Sequence, residues 1–235
     1  MESLFTFVSP PGPCEYLPSQ TWQIQYETVG QITPAEYMER LQQGWRRFGH
    51  AMFRPACASC RMCQSLRVPV ATFRPSRSQA RALTANLRTV RIEVGTPRVS
   101  QAKADLYARF HRYQHDAKGW PAPERAADAL MSFVDNPFPT EEWCYYLGER
   151  LIAVGYVDRL PEGLSAIYYF YDPAERHRSL GTFNVLSILA AARQRQLPHV
   201  YLGYYVAGCG SLEYKGRFQP NEVLTPRGTW EAFLG

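Results

Sequence analysis

No stretch of the 235-residue chain is apolar over the roughly 18 residues that a membrane helix needs. That excludes a helical membrane span. The opening residues, MESLFTFVSPPGP, lack the basic start and long apolar run of a secretory signal, so a cytoplasmic location is expected. No internal repeat and no low-complexity tail are present, which sets aside repeat arrays and disordered tails. Lysine and acid are missing from one long block: between Arg40 and Arg91 there are eleven arginines and neither a lysine nor a carboxylate. In a reducing compartment the six cysteines are expected as ligands, catalytic groups or core residues rather than disulfides.

What is present supports a folded protein. Apolar residues make up 46% of the chain, enough for a real core in one large domain or two small ones. Net charge is +5, and it is unevenly placed: residues 101–235 hold fourteen basic and fifteen acidic residues. The positive charge therefore belongs to the N-terminal part. An acid-free arginine block of that length points to a polyanion, with phosphates first in line.

Local patterning predicts the elements. Residues 9–20 form a Pro/Gly-rich loop, and QIQYETVG (23–30) a short strand. Thr33-Pro34 opens a helix that Gly44 ends. SLRVPVATF (65–73) reads as an edge strand because of its proline, and Ser76 caps a basic helix. VRIEVG (90–95) is a strand, and SQAKADLYARFHRYQHDA (100–117) a helix. A hairpin follows over 143–158, with its turn near Glu149-Arg150, then a strand over 165–171. The polar loop DPAERHRSLG leads into a helix, and HVYLGYYV (199–206) is the last strand. This order predicts an α/β (α+β) GNAT-like acyltransferase domain over 90–235, preceded by a smaller basic, cysteine-containing domain over 1–89.

Three segments carry chemistry. In FRPACASCRMCQSLRVPV, Cys57, Cys60 and Cys63 are spaced so that their thiolates can converge on one soft metal. The position where a ferredoxin-like run would place a fourth cysteine is Arg67, so Cys14 in the preceding loop is the expected fourth ligand. Iron–sulfur cluster and zinc stay open as the bound group. Cys144 and Cys209 have no partner at ligand spacing and are expected in the core or a pocket. RHRSLGTFNVL (176–186) follows a strand and opens a helix, so Arg178 and Gly181 are candidates for holding an anion. Phe183 sits where a coenzyme A loop would carry a small residue. YLGYYVAGCGSLEYKGRFQPNEVL (201–224) offers Tyr204, Tyr205, Lys215 and Arg217 for stacking on a base or for binding charge.

Together these segments resemble one family. YDPAERHRSLGTFNVL and YLGYYVAGCGSLEYKGRFQP are similar to the C-terminal half of the aminoacyl-tRNA–protein transferases. CEYLPSQ, FRPACASCRMCQSLRVPV and FRPSRSQARALTAN are similar to their N-terminal half. The likeness runs in order from about Cys14 to about Leu224, and it is to the bacterial aspartate/glutamate leucyltransferase branch. It implies transfer of leucine from leucyl-tRNA to the N-terminal amine of proteins beginning with Asp or Glu, which marks them for N-degron (N-end rule) proteolysis. No ATP is needed, because the ester is already activated. It also implies a metal or cluster on Cys14, Cys57, Cys60 and Cys63. Where the family reads SQRR this chain reads SQAR, so one positive charge is lost at Ala80.

For the chemistry, Asp158 at the end of a central strand is the expected base. Arg77, Arg81, Lys215 and Arg217 are candidates for binding tRNA or the acceptor's carboxylate, and His115 is expected on a helix surface. Two alternatives stand beside leucyl transfer: arginyl transfer to the same acceptors, and a CoA-dependent N-acetyltransferase. A non-catalytic nucleic-acid-binding module would leave the C-terminal half unexplained.

Overall fold

The computed structural model describes residues 1–121 and 125–233. The chain begins with β1 (Glu2–Val8), the two-residue strands β2 (Gly12–Pro13) and β3 (Thr21–Trp22), β4 (Ile24–Gln31), α1 (Pro34–Gln42), β5 (Arg46–Phe48) and β6 (Ala51–Pro55). Next come β7 (Gln64–Pro69), α2 (Arg77–Leu87), β8 (Val90–Gly95), α3 (Gln101–Lys118) and α4 (Ala126–Val134). The remainder is β9 (Thr140–Leu147), β10 (Arg150–Leu160), β11 (Gly163–Tyr171), α5 (Leu180–Gln194), β12 (His199–Tyr205), α6 (Gly210–Glu213), β13 (Glu222–Leu224) and β14 (Trp230–Ala232).

Capping fixes the helix starts as the sequence suggests. Thr33 accepts from the Glu36 amide while Glu36 accepts from the Thr33 amide, and Pro34 occupies the first turn. Ser76 and Gln79 form the same reciprocal pair ahead of α2. After α1, Gly44 takes φ +87, a conformation that side chains resist.

The larger sheet has eight strands in the order β14-β13-β7-β12-β11-β10-β9-β8. Among its described pairings only β11 and β12 run parallel, and α5 connects them. One face packs α5 and α2 over Leu66, Tyr145, Leu164 and Val200. Alternation along the strands sends Cys144, Val154 and Phe170 to the other face, under α3 and α4. Farther along, α1 packs with Met52, Leu160 and Tyr201 in a third cluster. The smaller sheet, β1-β4-β6-β5, adjoins it.

Three expectations need correction. Strand β7 is central, between β12 and β13, not an edge; Pro69 is its last residue and costs it no interior ladder bond. β12 is not the last strand, since β13 and β14 extend the sheet beyond β7. The chain also forms β1, the β5–β6 hairpin and α4, none of which the local patterns announce. The division suggested after residue 89 falls between α2 and β8, and the larger sheet takes strands from both sides of it.

Candidate active site

Parallel pairing of β11 with β12 covers only Gly163–Ser165 against His199–Tyr201. Beyond it β11 continues to Tyr171 and β12 to Tyr205, and the two strands part. A bulge between Tyr201 and Gly203 in the β12–β7 ladder, with Gly203 at φ +83, helps turn β12 away. The resulting wedge opens into a cleft of about 650 Å³, lined by Ala166–Tyr169 on one side and Leu202–Tyr204 on the other.

Two basic side chains reach the floor of the wedge. Arg46, 7% exposed, donates to the Ala166 carbonyl at 2.8 Å. Lys215, half-buried, donates from Nζ to the Tyr204 carbonyl at 3.0 Å. A Cβ on Gly203 would lie 3.4 Å from both groups, so the glycine keeps this approach open. Burial, and next the Arg46 charge, pull the Lys215 ammonium down to about 7. Among the described residues, the cleft lining holds five basic residues (Arg46, Arg47, Lys118, Arg176 and Lys215) and no Asp or Glu.

The start of α5 closes one side. Ser179, at φ 55, gives it no side-chain cap, so among the described residues its first N–H groups remain free. Gly181 lines the cleft, with open space where a Cβ would be. Phe110, Trp120, Tyr168 and Tyr171 form an aromatic wall beyond it.

Of the residues singled out from sequence, Gly181, Tyr204 and Lys215 line this cleft. Tyr204 spends its hydroxyl on the Gly44 carbonyl at 2.9 Å and so acts as wall. Tyr205 packs against Phe233, with ring centroids 4.7 Å apart. Arg178 is turned to Glu175 at 2.5 Å and Thr89 at 3.3 Å. Arg77, Arg81 and Arg217 are exposed outside the cleft lining; Gln79, which donates to the Arg217 carbonyl at 3.1 Å, ties them to one stretch of surface. His115 is exposed and bonds the Trp120 carbonyl at 2.7 Å. The sequence reading missed Arg46, Gln114, Lys118 and Arg176; the spacing of Phe110, Gln114 and Lys118 at every fourth residue was the available signal.

Asp158 is the main correction. It is fully buried and does not line the cleft. One oxygen accepts from Tyr37 at 2.8 Å and Arg47 Nε at 2.7 Å. The other accepts from Thr140 at 2.9 Å and from the far nitrogen of Arg47. A carboxylate engaged on both oxygens by its own protein is a clamp between the two sheets, not a free base.

The four N-terminal cysteines do come together. Cys14, Cys57, Cys60 and Cys63 line one cavity of about 340 Å³. Cys57 accepts a 3.5 Å bond from the Gln23 amide, and Arg61 donates to the Cys60 carbonyl at 2.9 Å. Burial, then the neighbouring Cys14, Cys57 and Cys60, push the Cys63 thiol up to about 12. The donor chemistry suits a soft cation. As they stand, however, the described residues include no group of three or more His, Cys, Asp or Glu able to hold a metal ion. The thiols are gathered but not closed. Cys144 and Cys209 are buried.

The families described as arginine-tRNA-protein transferase, N terminus and C terminus, match residues 12–81 and 102–225. The chain belongs to the aminoacyl-tRNA–protein transferase family. An aspartate/glutamate leucyltransferase from Campylobacter jejuni is 34% identical over 94% of this chain and 92% of its own length. Relatives of the same name from Helicobacter hepaticus and Pseudomonas fluorescens are also 34% identical. In three dimensions the chain is similar to the C-terminal domain of a protein described as a lysylphosphatidylglycerol synthetase from Agrobacterium fabrum. The TM-score is 0.52 at 12% identity, covering 86% of this chain and 64% of that one. The L-PGS of Bacillus licheniformis gives 0.51 at 11% identity, covering 92% and 83%. At such identities the likeness carries the fold alone, a GNAT-like acyltransferase fold. This enzyme has its cleft where β11 and β12, parallel over their first residues, separate. Among the described residues, no helix is long and apolar enough to cross a membrane.

Proposed function

We propose that this transferase moves leucine from leucyl-tRNA to the N-terminal amine of proteins that begin with Asp or Glu, and so marks them for N-degron proteolysis. The observation that carries this reading is the cleft lining, which among the described residues has no acid and, beside the Asp158-paired Arg47, the four cations Arg46, Lys118, Arg176 and Lys215. A donor arginine would bring a guanidinium into that cleft with no described carboxylate to meet it, which is costly in a desolvated site. A leucyl side chain brings no charge. An acceptor with an acidic first residue brings the charge that Arg46 and Lys215 lack.

In the reaction the neutral acceptor amine attacks the ester carbonyl, and a C–N bond forms. The tetrahedral intermediate then collapses, the bond to the ribose oxygen breaks, and the amine's proton ends on the departing hydroxyl. Holding ester and amine together in the wedge supplies much of the acceleration. Arg46 and Lys215 receive the acceptor's carboxylate, and the free N–H groups opening α5 receive a phosphate of the tRNA end. We infer further that Cys14, Cys57, Cys60 and Cys63, gathered round one cavity but open as described, would close on zinc or an iron–sulfur cluster and so tie the N-terminal lobe together, outside the transfer step.

The test is to incubate the protein with a mixed pool of charged tRNAs and peptides beginning with Asp, Glu or Ala, and to read the products by mass spectrometry. Addition of leucine to the Asp and Glu peptides alone is expected. Addition of arginine, or acetylation on supplying acetyl-CoA, would overturn the reading.

A further inference from the structure

The smaller sheet presents an aromatic face that the transfer step leaves unused. Phe7, Tyr26, Phe53 and Arg46 stand opposite one another on β1, β4, β6 and β5, so their side chains share one face. Ring centroids lie 5.0 Å apart from Phe7 to Tyr26, 6.3 Å from Tyr26 to Phe53, and 6.4 Å from Phe53 to Tyr204 in the cleft wall. At the outer end Phe5 and Phe7 are 62% and 42% exposed; a contiguous aromatic patch left in water marks a surface that a partner covers. At the inner end the row stops at Arg46, which lines the cleft. The same face walls the cavity of about 340 Å³ that the cysteines line, through Tyr26, Phe48 and Phe53. Tyr16, Phe53 and Tyr204 line both cavity and cleft, so the two are continuous.

We propose that this face holds the second to fifth residues of the acceptor protein and prefers apolar side chains there. The proposal rests on the transfer reading above, which puts the acceptor's acidic first residue at Arg46. From Arg46 to Phe7 the row crosses three strand spacings, about 14 Å, the reach of about four extended residues. A chain that leaves the wedge over Phe53 therefore passes Tyr26 and meets Phe7 near its fifth residue. Charge chooses this occupant over RNA, whose bases could also stack on the rings. Glu15 is the single charged side chain in the cavity lining among the described residues, so a phosphate there would meet a carboxylate and no cation. An apolar side chain meets neither difficulty and gains by leaving water. Apolar residues are mostly buried in folded chains, so the face selects acceptors whose first residues are unfolded or newly cut.

Fluorescence anisotropy without tRNA tests this on two labelled peptides, Asp-Phe-Leu-Phe-Leu and Asp-Ser-Gly-Ser-Gly, each with a free N-terminal amine. The apolar peptide is expected to bind the purified protein at least about tenfold tighter, the value of one well-covered apolar side chain. Phe5→Ser with Phe7→Ser should cut that preference to less than about threefold and leave affinity for the polar peptide unchanged. Both rings are already exposed, so the fold should survive, and an unchanged Tm checks it. Phe7→Leu, which stays apolar, should keep most of the preference. Equal affinities in the unaltered protein, or a preference that survives the double substitution, would overturn the proposal. So would a short single-stranded RNA whose binding, and not the peptide's, weakens in the double variant. A dimer in sedimentation that the double substitution dissolves would give the face to a second copy and overturn it too. Leucyl transfer is measured separately. Transfer without an apolar preference sinks the face alone; a preference without transfer sinks the aminoacyl-transfer reading and leaves a peptide-binding face in place.

Discussion

Arg46 and Arg47 are neighbours on β5, both nearly buried, and the molecule treats them in opposite ways. Arg47 meets a carboxylate: Asp158 takes two of its nitrogens and fills its remaining oxygen positions with Tyr37 and Thr140. Among the described hydrogen bonds Arg46 meets only a backbone carbonyl, and another cation, Lys215, shares the space beside Gly203 with it. A neutralised charge holds the two sheets together. An unneutralised one at the mouth of a wedge is held ready for a charge that arrives from outside.

The largest effect expected from breaking this contrast is on stability. Arg47→Ala leaves the Asp158 carboxylate buried and unpaired, which should cost about 3–5 kcal/mol in urea unfolding. Asp158→Asn should cost a similar amount, by leaving Arg47 unmatched. Its transfer rate per folded molecule should stay within about twofold, whereas loss of a general base would cost at least ~100-fold. A full loss of rate at unchanged stability would restore Asp158 to the chemistry.

Lys215→Met reverses the pattern. Removing a half-buried cation with no described acid beside it should leave stability unchanged or raise it. It should also raise KM for an Asp-first peptide by ten- to a hundredfold, the equivalent of about 1.5–3 kcal/mol for a lost charged hydrogen bond. The pH dependence has a definite sign. With the Lys215 ammonium at about 7, the group is charged below that pH and neutral above it. KM for the acidic acceptor should therefore climb as pH rises from 6 to 8.5, and Lys215→Arg should flatten the climb. Across the interval from about 7 to the ordinary 10.5, the unfolded chain holds this proton and the folded one does not. Folding stability from this group therefore rises with pH over that interval, and Lys215→Met should lose that slope.

The same contrast explains what could be read from sequence. Caps are local, so Thr33 with Pro34, and Ser76, were legible as helix starts, while their reciprocal partners Glu36 and Gln79 came from the structure. The cysteine knuckle was legible from its spacing, and the structure gathers Cys14 to it across 43 residues of chain. Asp158 was legible as a strand-end carboxylate, but its partners Tyr37 and Arg47 lie 121 and 111 residues away. Nothing local says that both its oxygens are taken. The central place of β7 depends on pairing with β12 and β13, which no window of β7 contains. Arg46 was hidden among eleven arginines of one block, because composition does not say which of them an acid will neutralise.

The smallest effect belongs to the surface arginines, and it separates them from the cleft. Arg77 and Arg81 are exposed at the start of α2, where salt screens them over about 10 Å at 0.1 M. If they meet tRNA phosphates, Arg77→Ala with Arg81→Ala should lower tRNA affinity by less than about tenfold at low salt. It should also flatten the dependence of log affinity on log salt by about one to two units. The rate at saturating tRNA should not change, because neither residue touches the reacting atoms. The Lys215→Met penalty, arising in a desolvated wedge, should be nearly the same at 50 and at 200 mM salt, since buried charges are screened far less. A salt slope untouched by the α2 substitutions would move the tRNA grip to the cleft cations, and Lys118 and Arg176 would then have to supply the dependence that the arginine block does not.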